Sequence, residues 1–371
     1  MTPTDVGVQA KVRLEHLRRL MAPAGIVQFA HGESPDLRSG TCLDDNARAW
    51  LAATYVMARP DAPAFAREIG DRAAAFVTAA QRDDGWFHNM ADIDGRYLDV
   101  VGSEDSIGRT IWAAGTVARC STVPEWRNAA IGLLERVLPI VDELRVTHAR
   151  AYAMLGMSAA LAPESAWPLR TAGPALPSPL RGRLRDTFLR IASAMLATYR
   201  ANATTEWPWW SDTLTWGNAR LPESMVRAAI ATGDKKLAKA GMTALEFLAS
   251  VTQPDDMFVA IGNDGWYRRD GHRPMYDQQP LEACGMVDLW HAAFKLTGDT
   301  AHLDRARTAY EWFLGKNTEG LAVANADTGG CCDGLLRGEL NHNQGAESTL
   351  SYVHSTLAVN AASAGDEPTT K

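Results

Sequence analysis

The stretch Leu43-Asp44-Asp45-Asn46-Ala47-Arg48-Ala49-Trp50-Leu51-Ala52-Ala53 decides the fold. Four polar residues open it, and everything after Arg48 is small or apolar on every side. A helix that is apolar nearly all round belongs inside a large core rather than on its surface. Its polar opening must then face a space at one end of that core. Five more segments open in the same manner: Glu104-Asp105-Ser106-Ile107-Gly108-Arg109, Thr147-His148-Ala149-Arg150-Ala151-Tyr152, Asn218-Ala219-Arg220-Leu221-Pro222-Glu223, Asp277-Gln278-Gln279-Pro280-Leu281-Glu282 and Asn343-Gln344-Gly345-Ala346-Glu347.

From Asp45 to Asp105, His148, Arg220, Asp277 and Gln344 the gaps are 60, 43, 72, 57 and 67 residues. Two helices with their loops occupy roughly 40–70 residues. Between the apolar segments lie helices with a charged face, such as Arg67-Glu68-Ile69-Gly70-Asp71-Arg72. Helical periodicity predicts helices at 5–21, 44–58, 62–80, 105–120, 124–141, 147–161, 181–200, 219–232, 234–252, 278–297, 300–315 and 344–363. Twelve helices in six pairs predict an all-α, single (α/α)6 toroid spanning 1–371, with an ordered core of about 5–363. The gaps vary too much for a stacked solenoid. Two outer helices end alike, at Gln81-Arg82-Asp83-Asp84-Gly85 and Gln253-Pro254-Asp255-Asp256, a weak repeat of a turn.

Composition narrows the function. A net charge of −7 without a basic run excludes nucleic acid and an anionic membrane surface as partners. No window approaches a transmembrane span, and Met1-Thr2-Pro3-Thr4-Asp5 lacks signal-peptide order, so a cytoplasmic location is expected. Five cysteines form no disulfide framework, and neither a zinc spacing nor a nucleotide-binding glycine motif occurs. No cofactor and no metal are expected. Residues 365–371 read as a frayed tail.

Glycosidic cleavage needs a protonated carboxyl for the leaving oxygen and a second carboxylate as base or nucleophile. Asp45, Glu104, Asp105 and Asp277 are the catalytic candidates: Glu104 or Asp105 as acid, Asp45 or Asp277 as partner. An acid at a helix start is otherwise an N-cap. Asp44-Asp45 and Glu104-Asp105 put like charges side by side, which raises one pKa of each pair. Arg48 and Arg109, four residues after Asp44 and Asp105, are placed to clamp them. Glu223, Glu282 and Glu347 sit one turn into apolar helices, where a carboxylate needs a partner or a ligand. Twelve tryptophans bunch in loops, notably Trp207-Pro208-Trp209-Trp210-Ser211-Asp212, Trp216 and Trp266. Flat rings stack on sugar faces while amides and charges bind hydroxyls. The substrate-binding candidates are therefore His31, Asp44, Arg48, His148, Arg150, Tyr152, Trp207, Trp210, Asp212, Arg220, Glu223, Gln278, Glu282, His342, Asn343, Gln344 and Glu347.

With these motifs the chain resembles the six-hairpin glycosidase superfamily. It looks most like a bacterial family found beside or fused to glycosyltransferases and mannoside phosphorylases. Carrying that likeness are the acidic openings above, Leu214-Thr215-Trp216-Gly217-Asn218-Ala219-Arg220, Gly262-Asn263-Asp264-Gly265-Trp266-Tyr267 and Asn343-Gln344-Gly345-Ala346-Glu347-Ser348-Thr349, from about residue 25 to 360. The resemblance implies glycan processing at the N-terminal ends of the inner helices and a functional association with a glycosyltransferase. The expected activity is inverting hydrolysis of a short oligosaccharide or glycan end. Two alternatives stay open: an epimerase or isomerase working through His31, His148 and His342, and a non-catalytic glycan-binding partner of a transferase.

Overall fold

The computed structural model describes residues 10–162 and 174–363 and, between them, two-residue strands at 165–166 and 169–170. Among the described residues there are twelve α-helices. The inner six are α2 (Leu43–Met57), α4 (Glu104–Cys120), α6 (Thr147–Leu161), α8 (Arg220–Thr232), α10 (Pro280–Thr297) and α12 (Ala346–Ser363). They touch in the order α2, α4, α6, α8, α10, α12 and back to α2, which closes the ring. Outside it run α1 (Glu15–Arg19), α3 (Phe65–Ala80), α5 (Pro124–Val141), α7 (Ser178–Asn202), α9 (Lys235–Thr252) and α11 (Ala301–Glu311). The all-α (α/α)6 toroid is present.

Local chemistry sets the boundaries. Pro124 and Pro280 open α5 and α10, where a missing N–H costs nothing. Gly233 and Gly298 stop α8 and α10 in left-handed conformation. The inner helices are buried on nearly all sides, as their sequences required. Helices α4 and α6 approach most closely because Gly115 and Gly156 carry no side chain. A Cβ on Gly115 would lie 2.0 Å from the Gly156 carbonyl oxygen, and one on Gly156 2.1 Å from that of Ile111.

One expected helix is much shorter. The stripe at 5–21 becomes only α1, and its expected start lies outside the described residues, as does the tail at 365–371. The preceding chain is drawn against the glycine turn before α12: His16 N–H donates to the Thr328 carbonyl, and Gly329 packs on the Arg13 carbonyl. Those contacts replace helix formation at residues 10–14.

Among the described residues, six two-stranded antiparallel pairs decorate the loops. The one at Thr213–Leu214 and Tyr267–Arg268 joins the loop before α8 to the long loop before α10. All five cysteines are buried thiols. No described helix is long and apolar enough to cross a membrane.

Candidate active site

All six inner helices start at the same end of the ring, so their first turns present backbone N–H groups and carboxylates to a common mouth. On the α2–α12 side a cavity of about 310 Å³ is lined by Gln28, Asp44, Asp45, Arg48, Asp333 and Glu347, among others. Below it a void of about 20 Å³ receives side chains from every inner helix, including Arg48, Trp112, Tyr152, Arg220, Cys284 and His354.

The acidic wall is held by two arginines. Arg48 donates to Asp45 at 2.9 Å and also to Glu347, tying the first inner helix to the last. Arg109 reaches Asp44 on the neighbouring helix at 3.3 Å rather than clamping its own Asp105. Burial lifts the Asp45 carboxyl to about 6 against the pull of Arg48, with Glu347 adding to the rise. Cys42, the residue before α2, donates its thiol to the second Asp45 oxygen at 3.1 Å. Asp333 accepts from the Gly345 N–H at 2.9 Å, is raised by burial, and lies in the field of Glu347 and Asp277. Asp277 has φ of 46° and a carboxylate pressed against Gly334.

On the α4 and α6 side the wall is aromatic. Trp266 lies 5.4 Å from Trp216, and Trp216 stacks on His148 at 4.8 Å. Deeper, Tyr152 stacks on Trp112 at 5.8 Å, with Arg109 over Tyr152 and Arg220 over Trp112, each at 4.7 Å. Gly217 joins the two groups. It has φ of 57°, and a Cβ there would meet the Tyr152 hydroxyl at 3.3 Å.

Asp105 stands beside the outer aromatics, next to the Trp216 indole. Burial raises its carboxyl; Arg109 opposes this and Asp44 adds to it. Its Oδ1 is buried without a hydrogen-bond partner, as are His148 Nε2, the Tyr152 hydroxyl, Arg109 Nε and Arg220 Nε. Native interiors seldom leave such atoms unpaired. Burial pushes the His148 imidazole down to about 4, and Arg109 pushes the same way.

Several other candidates have structural work. The Glu104 carboxylate accepts the N–H groups of Arg145 and Val146 at 2.6 and 2.7 Å, bracing the start of α6. Arg150 donates to the Leu144 carbonyl at 2.7 Å in the same corner. Glu282 accepts from Gly217 N–H and, at 3.1 Å, from Asn218, fixing the loop that carries Trp216; burial lifts its carboxyl to about 7. Gln278 is fully buried, accepting from Ala260 and Trp312 and donating to Met275 and Thr318. Asn343 accepts from Gly32 N–H, and Gln344 packs on Gly330 while its carbonyl accepts from His16.

The tryptophan bunch is placed differently from the expectation. Trp207 and Trp210 are 5 % and 3 % exposed, and their indoles donate to the Ser211 and Met195 carbonyls. They pack on Phe247, Tyr267 and Tyr199, leaving no free face for a sugar. Asp212, His31 and His342 are exposed, and His31 pairs with Asp36 at 3.3 Å.

Under the void sits a charge cluster the sequence revealed only in part. Arg220 donates to Glu223 at 2.7 Å and to Asp288 at 2.6 Å, and Arg227 donates to Glu223 at 2.7 Å. His354 reaches Asp288 at 2.8 Å. Burial alone would raise Asp288, but His354 and Arg220 outweigh it and hold the carboxyl below the usual range. Cys284, Asp288 and His354 are spaced closely enough to ligate a metal. Arg220 already donates to the Cys284 sulfur and to Asp288, fixing a positive charge there, so the donor set does not fit a cation. Sequence reasoning missed Asp288, His354, Trp112 and Asp333. The first three lie mid-helix without a motif, and Asp333 sits in a glycine turn that reads as a turn alone.

No protein-family model matches the sequence, and no curated protein matches it significantly. Solved structures share its fold. A D-mannose isomerase aligns at TM-score 0.67 and 12% identity, covering 94% of each chain. A sugar epimerase from a ruminal bacterium aligns at 0.65 and 12%, covering 91% of this chain and 92% of its own. A GH76 α-mannanase of Bacteroides thetaiotaomicron aligns at 0.54 and 13%, covering 86% of each. The chain thus shares the (α/α)6 toroid fold of these structures.

Proposed function

We propose that the protein is a glycoside hydrolase acting on a short neutral oligosaccharide, with Asp105 as general acid and Asp45 as general base. The observation that carries this is a pair of buried acids at the starts of neighbouring inner helices: Asp105, with its unpartnered Oδ1, beside the aromatic residues, and Asp45 in the lining of the acidic cavity. A sugar ring has apolar faces and a hydroxyl rim, and needs both kinds of surface at once. Carboxyls outnumber guanidinium groups around the mouth, which disfavours uronates and phosphorylated sugars. Association with a glycosyltransferase rests on the sequence resemblance alone.

In the reaction the Asp105 proton passes to the glycosidic oxygen as the bond from the anomeric carbon breaks. Water attacks that carbon from the other face and gives its proton to Asp45. The products are two free sugars, and the two carboxyls exchange one proton in balance. Asp45 and Asp105 belong to different helices with the Asp44–Arg109 pair between them. Inversion, with a water between acid and base, requires a separation of about 6.5–9.5 Å.

Epimerase and isomerase neighbours, together with the uncharged His148 on the aromatic wall, favour a second reading in which His148 removes a carbon-bound proton. That chemistry wants a second facing imidazole. His31 and His342 are exposed and do not line the cavity, and His354 is committed to Asp288. Hydrolysis is therefore preferred.

The test pairs cellobiose and α-linked mannobiose with the matching glycosyl fluorides, run on wild type, Asp105→Asn and Asp45→Asn, with the product anomer read by NMR. Asp105→Asn should lose about 10²–10⁴-fold on the disaccharides and far less on fluorides, whose leaving group needs no proton. Asp45→Asn should lose activity on both. Wild-type turnover in both variants would overturn the assignment, and deuterium incorporation at C2 in D₂O without cleavage would replace it with epimerisation.

A further inference from the structure

We infer that Trp266 and Trp216 form the subsite for the leaving-group sugar, an inference that rests on the hydrolytic assignment of Asp105. Trp216, stacked on His148, lies beside the Asp105 carboxyl, so whatever lies along Trp216 on its outer side lies near the oxygen that Asp105 would protonate. The deeper positions are taken by Tyr152, Trp112 and Arg220, which belong to the sugar that keeps the anomeric carbon. Trp266 is the next ring outward, tilted 42° to Trp216 and half-buried, in contrast to the sealed Trp207 and Trp210.

Trp266 is held in place at a cost. Its φ is 50°, a left-handed conformation that L residues other than Asn and Asp seldom adopt. Its indole N–H donates to Asn263 Oδ1 at 2.8 Å, which fixes the ring plane. The adjacent Tyr267–Arg268 strand pairs with Thr213–Leu214, so the two tryptophans hang from one antiparallel pair. A bulky residue in this backbone conformation, locked by its own turn and next to a second ring, is strain accepted to aim a side chain. Glu282 fixes the other half of the platform through Gly217 and Asn218.

Trp266→Ala and Trp266→Phe are the variants to make. The first readout is affinity of the catalytically idle Asp105→Asn protein for cellobiose and α-linked mannobiose, followed by tryptophan fluorescence. Trp266→Ala in that background should weaken binding of the preferred disaccharide roughly tenfold, and Trp266→Phe should recover most of the loss. The second readout is turnover: Trp266→Ala should lower kcat/KM on the disaccharide about tenfold and leave the glycosyl fluoride, which lacks a leaving-group sugar, within about twofold. Equal losses on disaccharide and fluoride, or unchanged disaccharide affinity, overturn the subsite. If no substrate is cleaved by wild type but the affinity loss appears, hydrolysis fails while the platform stands.

Discussion

Arg48 donates to Glu347 across 299 residues of sequence, binding the first inner helix to the last at the rim of the cavity. Arg48 also holds Asp45, so one guanidinium closes the ring and orients the proposed base. Arg48→Ala should lower the unfolding free energy by about 2–3 kcal/mol, less than the roughly 3–5 kcal/mol for breaking a fully buried pair because the Glu347 side chain is 42 % exposed. Denaturant titration checks this. Turnover should fall with it, and a variant that kept both would sever the link between closure and site.

Glu104 and Asp105 are adjacent yet differently employed. Glu104→Ala removes a brace on two N–H groups and should cost about 1 kcal/mol in stability, with kcat kept within a few-fold. Asp105→Asn should do the reverse, keeping the melting temperature and losing turnover. Paired thermal melts and kinetics distinguish them.

Activity should depend on pH through Asp45. As base it must be ionised, so kcat/KM should rise through about pH 6. The rising limb should be altered in Asp45→Asn, measured on whatever residual rate remains. A profile flat from pH 5 to 7 in the wild type would count against Asp45 as base.

Stability should show a different dependence through Glu282. Its carboxyl is lifted from 4.5 to about 7, so the folded state holds a proton that the unfolded chain releases. The stabilisation is complete below pH 4.5 and is lost as pH climbs to about 7, some ~3 kcal/mol in all. Glu282→Gln should flatten that decline, followed by urea unfolding at half-unit pH steps.

Trp207→Ala should destabilise by about 3–5 kcal/mol, as for other buried large residues. Below the melting range its KM should match wild type, because no sugar touches that ring. A raised KM with intact stability would return Trp207 to the binding surface.

The toroid was legible because burial imposes a pattern: six helices with no polar face can only stand inside a wall of amphipathic ones. Boundaries followed from Pro124, Pro280, Gly233 and Gly298. The first helix was over-read since apolar spacing at 8–20 says nothing of a competing turn at Gly329. In the site, the acidic openings were visible as motifs, and the structure gathers Asp44, Asp45, Asp277 and Glu347 near one another. Which acid does what was hidden, because Glu104 and Asp105 differ only in where their side chains turn. Tryptophan density in a Pro-rich loop looked like a sugar platform, whereas indole N–H groups satisfied by backbone carbonyls are equally at home in a core. Asp288 and His354 left no trace, since a partner 66 residues away has no local spacing to reveal it.

The Arg220–Glu223–Asp288–Arg227 cluster pins α8 to α10 beneath the void, and His354 draws α12 into it. A floor bolted in this way holds α8, α10 and α12 together without help from the hairpin that carries Trp216 and Trp266. The hairpin that carries Trp216 and Trp266 can then be exchanged, lengthened or reshaped without loosening the foundation, so a shift in sugar preference would be written in loops while the floor stays constant.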